Sequence, residues 1–241
     1  MKLLSIGNSF STDAHFFLHR LAVLHGVDLY TANLFIGGCS LETHWHNVNE
    51  NNADYDYEIN GNVAKRKISI EEALAEDKWD VITFQQASAY SGIFETYEPY
   101  LTSLVDYVRT KQPQAKLYFH QTWSYENGSE HPGFVNYGCD SRKMFESIVT
   151  ASEKAAKLID ATLIPAGTVI QHLRENVSEF DYANGGLSLC RDTFHLSNDY
   201  GRYAAAATWL RILSEKQLET NPIGGLDVSL IEKINRIVNN I

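Results

Sequence analysis

Hydroxyls, imidazoles and carboxylates are the groups from which a protein assembles a nucleophile at neutral pH, and two short segments far apart in this chain supply all three. Near the N-terminus an apolar run over residues 2–6 breaks at Gly7-Asn8-Ser9-Phe10-Ser11. A serine directly after a buried strand, with a glycine for a tight turn and a helix following, stands at the sheet edge. Its own N–H and those of the helix's first turn then point where an oxyanion would form. The same position also suits a plain helix N-cap. Toward the C-terminus, Asp192-Thr193-Phe194-His195 puts a carboxylate three residues ahead of an imidazole. Such a carboxylate can turn back to accept the Nδ1 proton, which leaves Nε2 free to take a proton from a serine.

Two further segments could complete such a site. Gly37-Gly38-Cys39-Ser40 follows the second apolar run, and paired glycines can either make an ordinary turn or aim a free N–H outward. Gln85-Gln86-Ala87-Ser88 follows the third run; a side-chain amide there can donate to an oxyanion or hydrogen-bond the loop backbone. Trp123, after the fourth run, fits the floor of a sugar-binding cleft and a core position equally well. His44 and His46 form an H-x-H pair with no Cys or acidic partner spaced to complete a metal site, so neither metal nor cofactor is expected.

These segments share a position. Five apolar runs, over residues 2–6, 27–36, 79–84, 115–120 and 161–165, alternate with amphipathic stretches over 15–25, 97–111, 141–158, 200–213 and 228–238. Strands alternating with helices imply right-handed crossovers and a mostly parallel sheet covered on both faces, an α/β fold. Functional groups gather at the carboxyl ends of the strands in such sheets, and each unusual cluster lies just after an apolar run. Residues 42–67 and 124–140 break the rhythm and read as loop insertions overhanging that edge, either walling a cleft or decorating the surface. Nothing marks a domain boundary, so residues 1–241 are expected to form one domain.

Composition narrows the partners. A formal charge of −10 with no basic cluster longer than Lys65-Arg66-Lys67 disfavours nucleic acid and anionic lipid as ligands, and no apolar run is long enough to span a bilayer. Cys39, Cys139 and Cys190 are odd in number and widely spaced, as reduced thiols are. The first residues lack the anatomy of a signal peptide, which reads as cytoplasmic unless a leader has been removed. Oligomeric state is not legible.

In order, GNS after the first run, a glycine after the second, a polar amide after the third and DxxH near the C-terminus resemble the four sequence blocks of SGNH/GDSL hydrolases. The resemblance spans residues 5–207. It implies a three-layer α/β/α fold with a five-stranded, flavodoxin-like sheet, and a serine esterase with Ser9 as nucleophile, His195 as base and Asp192 as its partner. It makes the amides of Ser9 and Gly38 oxyanion donors; Gly38 is preferred over Gly37 because a small polar residue follows it two positions on. The family's third block is usually GxND, whereas QQAS stands here. That variant is similar to SGNH branches, carbohydrate acetylesterases among them, with glutamine after the third strand, and it makes Gln85 the third donor, with Gln86 second. The expected substrate is a small acyl ester, acetyl foremost, of a carbohydrate-type alcohol. Two alternatives lack a nucleophile: a flavodoxin- or Rossmann-like domain binding a small molecule or nucleotide, and a catalytically silent glycan-binding relative. The first lacks both G-x-G-x-x-G and the P-loop motif.

Overall fold

The computed structural model describes residues 1–241. The five apolar runs become β1 (Lys2–Gly7), β2 (Tyr30–Phe35), β5 (Val81–Phe84), β6 (Lys116–His120) and β7 (Thr162–Ile164). They pair in parallel in the order β2-β1-β5-β6-β7, with Gly7 beside Phe35 and Ile6 beside Phe84. β1 is therefore central, and its C-terminal end opens between the loops that follow β2 and β5.

Helices cover both faces. α1 (Ser9–Leu24), α6 (Ala166–Asn176), α7 (Tyr200–Ser214) and α8 (Val228–Val238) share one core with Leu3. α2 (Leu41–Glu50), α3 (Ile70–Glu76) and α4 (Tyr100–Lys111) share the other with Leu4 and Ile6. The alternation of Leu3 and Leu4 between cores follows from the two-residue period of a strand. α5 (Ser141–Leu158) contributes Met144 and Ile148 to the first core and Ala155 to the second. α7 packs most extensively on α1; Ala204, Ala205, Ala206 and Ala207 are fully buried, and their small side chains permit the close approach. No helix is long and apolar enough to cross a membrane.

The sheet has seven strands where the apolar runs predict five. Residues 42–67 are not a loop: they hold α2 and a hairpin of β3 (Tyr55–Ile59) and β4 (Asn62–Ile68), added antiparallel to the β2 edge. The hairpin escapes a search for apolar runs because β4 is exposed along most of its length, while β3 buries only alternate tyrosines and Glu58. Its turn is Asn60-Gly61, both with positive φ, the pair that tight hairpin turns demand. α3 also went unread, although Ser69 and Glu72 form the reciprocal cap that announces a helix start.

α6 was not anticipated, and it fixes the end of β6. Its Gly167 donates to Gln121 O at 3.1 Å, and a Cβ there would lie 1.9 Å from Thr122 O. Backbone cannot yield as a side chain can, so Gly167→Ala should destabilise the fold by about 1–3 kcal/mol, read as a lower urea midpoint with an unchanged slope.

Candidate active site

Gly7 ends β1 and Asn8 caps α1, so Ser9 is the first helical residue and not the cap. A Cβ on Gly7 would lie 2.2 Å from Ser11 Oγ, which explains the glycine. Ser11 Oγ accepts the Asn8 N–H at 3.1 Å. The Asn8 amide is shared among three chain segments. Its Oδ1 accepts from Phe10 N at 3.0 Å and from Gln85 Nε2 at 2.6 Å, and its Nδ2 donates to Cys39 O at 3.0 Å. Position N1 of a helix has no intrahelical acceptor, so the Ser9 N–H is available to a ligand.

His195 reaches Ser9 from 186 positions away: Nε2 stands 2.9 Å from Ser9 Oγ. Asp192 Oδ2 accepts the Nδ1 proton at 2.8 Å, and Oδ1 accepts the His195 backbone N–H at 2.7 Å. Partial burial works against the charge on Asp192, but the hydrogen bonds from the His195 ring and backbone outweigh it and hold the carboxyl below its usual range. With Asp192 bound to Nδ1, the ring turns Nε2 toward the Ser9 hydroxyl. The Asp192 side chain is 42% exposed, so the site is shallow and open to water.

The loop carrying this pair is docked on α1, the helix that begins with Ser9. Asp13, four residues after Ser9 and therefore on the same face of α1, is buried. Its carboxylate accepts from Leu196 N at 2.8 Å, Arg191 Nη1 at 2.9 Å and Arg202 Nε at 2.8 Å. Arg191 also donates to Leu196 O, and its backbone N–H bonds His195 O at 2.9 Å, closing the loop on itself. From the far side, Trp123 Nε1 donates to Phe194 O at 2.7 Å, and Glu126 N donates to Thr193 O at 2.8 Å.

The remaining predicted residues divide. Gly38 lies at φ +65° in the exposed turn that follows β2, the strand paired with β1. The glutamines point elsewhere, and Gln85 as third oxyanion donor gives way. Gln85 is buried, its Nε2 spent on Asn8 and its Oε1 accepting from His120 Nδ1 at 2.7 Å. Gln86, the second choice, is also buried; its Oε1 accepts from Leu41 N and Ala87 N, and its Nε2 donates to Thr96. Both act as loop braces. Trp123 floors no cleft: it is fully buried and stacked on Phe10 with ring centroids 4.3 Å apart. The H-x-H pair does not converge either, because His44 is buried beside Tyr55 while His46 is exposed. No three His, Cys, Asp or Glu side chains are grouped to hold a metal.

Sequence reasoning passed over Asn8, Asp13, Arg191 and His120. Asn8 lay inside the GNS motif, and its residue type alone signals a helix cap. Asp13, Arg191 and His120 matter through contacts that no local pattern announces. Burial lowers the pKa of His120 to about 3, so the ring is neutral and supports Gln85 by donating from Nδ1.

This seven-stranded sheet with a Ser–His–Asp chain at the end of its first strand has the fold of the SGNH/GDSL hydrolases. The lipase/acylhydrolase from Enterococcus faecalis superposes with a TM-score of 0.58 at 13% identity, covering 92% of this chain and 98% of that one. Axe2, an acetylxylan esterase from Geobacillus stearothermophilus, gives 0.56 at 14% identity, covering 91% and 97%. The chain belongs to the family described as "Domain of unknown function (DUF4886)", whose model matches residues 2–236. A DUF4886 family protein from Bacteroides uniformis shares 39% identity over all of this chain and 93% of that one, with a TM-score of 0.91. No curated protein matches the sequence.

Removing Asp13 leaves two guanidinium groups and one loop N–H without their shared acceptor. Asp13→Ala should cost on the order of 3 kcal/mol in urea unfolding, the loss typical of a buried pair deprived of one partner. A change within ~0.5 kcal/mol, the range of ordinary surface substitutions, would show that the loop does not depend on this carboxylate.

Proposed function

We propose that this protein is a serine esterase that removes small acyl groups, acetyl foremost, from a carbohydrate-type alcohol. The observation that carries the reading is the unbroken chain Ser9 Oγ–His195 Nε2 at 2.9 Å and His195 Nδ1–Asp192 Oδ2 at 2.8 Å. Ser9 Oγ attacks the ester carbonyl as His195 Nε2 takes its proton. The charge that develops on the carbonyl oxygen meets the N–H groups of Ser9 and Gly38. The intermediate collapses, the alcohol leaves with the proton from His195, and the acyl group remains on Ser9. Water, deprotonated by His195, then attacks the acyl-enzyme, releases the acid and restores the hydroxyl.

The acyl and alcohol preferences have a different footing. The fold is shared with an acetylxylan esterase and with a lipase/acylhydrolase, and fold alone does not choose between them. The net charge of −10 favours a neutral substrate over an anionic one.

Ser9→Ala should abolish hydrolysis of p-nitrophenyl acetate and labelling by a fluorophosphonate probe, with thermal unfolding unchanged. Activity within a few-fold of wild type would move the nucleophile elsewhere. Labelling of the wild type separates this reading from any binding domain, which has no activated serine.

The proton inventory makes a second prediction. The base must be neutral to accept the serine proton, and a protonated imidazole has no lone pair at Nε2. The kcat/KM should therefore fall as acid protonates a histidine-type base, while Asp192, held below the usual carboxylate range, stays ionised through that interval. Asp192→Asn should reduce kcat by as much as roughly 10⁴-fold by stabilising the wrong tautomer. A flat acid limb with chemistry rate-limiting would remove His195 from the base role.

A further inference from the structure

His195 must hand its proton to the departing alcohol, so the alcohol sits beside the His195 ring. Two partly exposed side chains stand there, outside the chain of proton transfers. The Phe194 ring centroid is 4.1 Å from that of His195 and 4.9 Å from that of His131, edge-on to the latter at 66°. Both rest on Tyr125, which is buried and tied by its hydroxyl to Ser88 Oγ at 2.7 Å; its ring lies 4.8 Å from His131 and 5.6 Å from Phe194. We propose that Phe194 and His131 form the subsite for the leaving alcohol, and that this alcohol is a cyclic polyol, stacked by its C–H face on Phe194 and hydrogen-bonded through an oxygen to His131 Nε2. The assignment rests on the esterase reading for which side of the site the alcohol occupies.

His131 is built as a fixed donor. Its Nδ1 accepts the Gly133 N–H at 3.0 Å, which leaves the ring proton on Nε2. The turn that makes this bond is pressed onto the loop after β5: a Cβ on Gly133 would lie 3.0 Å from Ala89 Cα and closer still to its Cβ. Partial burial first, and then the neighbouring His195, lower the His131 pKa against the opposing pull of Asp192, so the ring stays a neutral donor. Phe194 is held equally firmly, with its carbonyl on the Trp123 indole and the preceding Thr193 in the left-handed region at φ 72°. An aromatic face beside a rigid N–H donor fits a pyranose, which offers an apolar ring face and equatorial oxygens together.

The test compares two acetate esters with the same acyl group. An O-acetyl methyl pyranoside offers the ring and its oxygens, and trifluoroethyl acetate offers neither. The ratio of kcat/KM for the pyranoside to that for trifluoroethyl acetate should fall about tenfold in His131→Ala, as loss of one hydrogen bond predicts, and should fall also in Phe194→Leu. An unchanged ratio overturns the subsite, because a merely structural defect lowers both rates together. Calorimetric titration of the Ser9→Ala protein with the same pyranoside separates this proposal from the esterase reading. If wild type hydrolyses neither ester, but Ser9→Ala binds the pyranoside and Ser9→Ala/His131→Ala binds it about tenfold more weakly, the esterase reading falls and the polyol subsite stands. Binding that is absent, or indifferent to His131, removes the subsite.

Discussion

Ser9 and His195 lie 186 positions apart yet meet within one hydrogen bond, and the group that ties the helix of the one to the loop of the other is the buried carboxylate of Asp13. Asp13 sits one helical turn beyond Ser9, so its direction is set by the same helix axis that aims Ser9. It binds the backbone of Leu196, the neighbour of His195, and neutralises Arg191 and Arg202 on either side of the loop. A buried charge pays for its desolvation only when its donors are in place, which makes the docked geometry a narrow one. The close packing of α1 on α7 serves the same end, because Arg202 projects from the first turn of α7 toward Asp13.

Asn8 does for the oxyanion side what Asp13 does for the base side. Its amide joins the start of α1, the loop after β2 and, through Gln85, the end of β5. Gln85 in turn leans on His120 at the end of β6. Four neighbouring strand ends are thereby tied by polar groups beneath the Ser9 hydroxyl, where an apolar core could fill space but could not fix direction. The glutamine after the third parallel strand is turned inward because its hydrogen bonds are committed to Asn8, the residue beside Ser9, and to His120. On the proposed esterase reading, the oxyanion then falls to the backbone amides of Ser9 and Gly38.

The five parallel strands and the long helices were legible because burial on both faces leaves unbroken apolar runs, as in Val81–Phe84, and long amphipathic segments, as in Ser141–Leu158. The positions of Ser9, Asp192 and His195 were legible because strand-end placement and three-residue spacing are local properties. What was not legible depended on contacts distant in sequence. Gln85 and Trp123 carry side chains suited to ligand binding, and only the packing of Asn8, His120 and Phe10 around them turns them inward. Asp13 reads as one acidic residue in a helix until Arg191 and Arg202 arrive from the other end of the chain. The hairpin was different, since Asn60-Gly61 was a readable signal masked by the polarity of its outer strand.

The two insertions, alike in sequence as polar interruptions, have separate mechanical roles. The hairpin in 42–67 extends the sheet rather than roofing the site. From it, buried Glu58 accepts from Asn33 Nδ2 at 2.7 Å and from Thr12 Oγ1 at 3.0 Å, one residue short of Asp13 on α1. Burial raises the pKa of Glu58 while the hydrogen bonds from Asn33 and Thr12 oppose it. Residues 124–140 instead bend over the loop of His195, where Ser129 meets Thr193 and His131 meets Phe194. α1 is thus braced from the hairpin side while the surface beside His195 is shaped from the other. On the proposed reading, variation in the second insertion would change which alcohol departs without loosening Ser9.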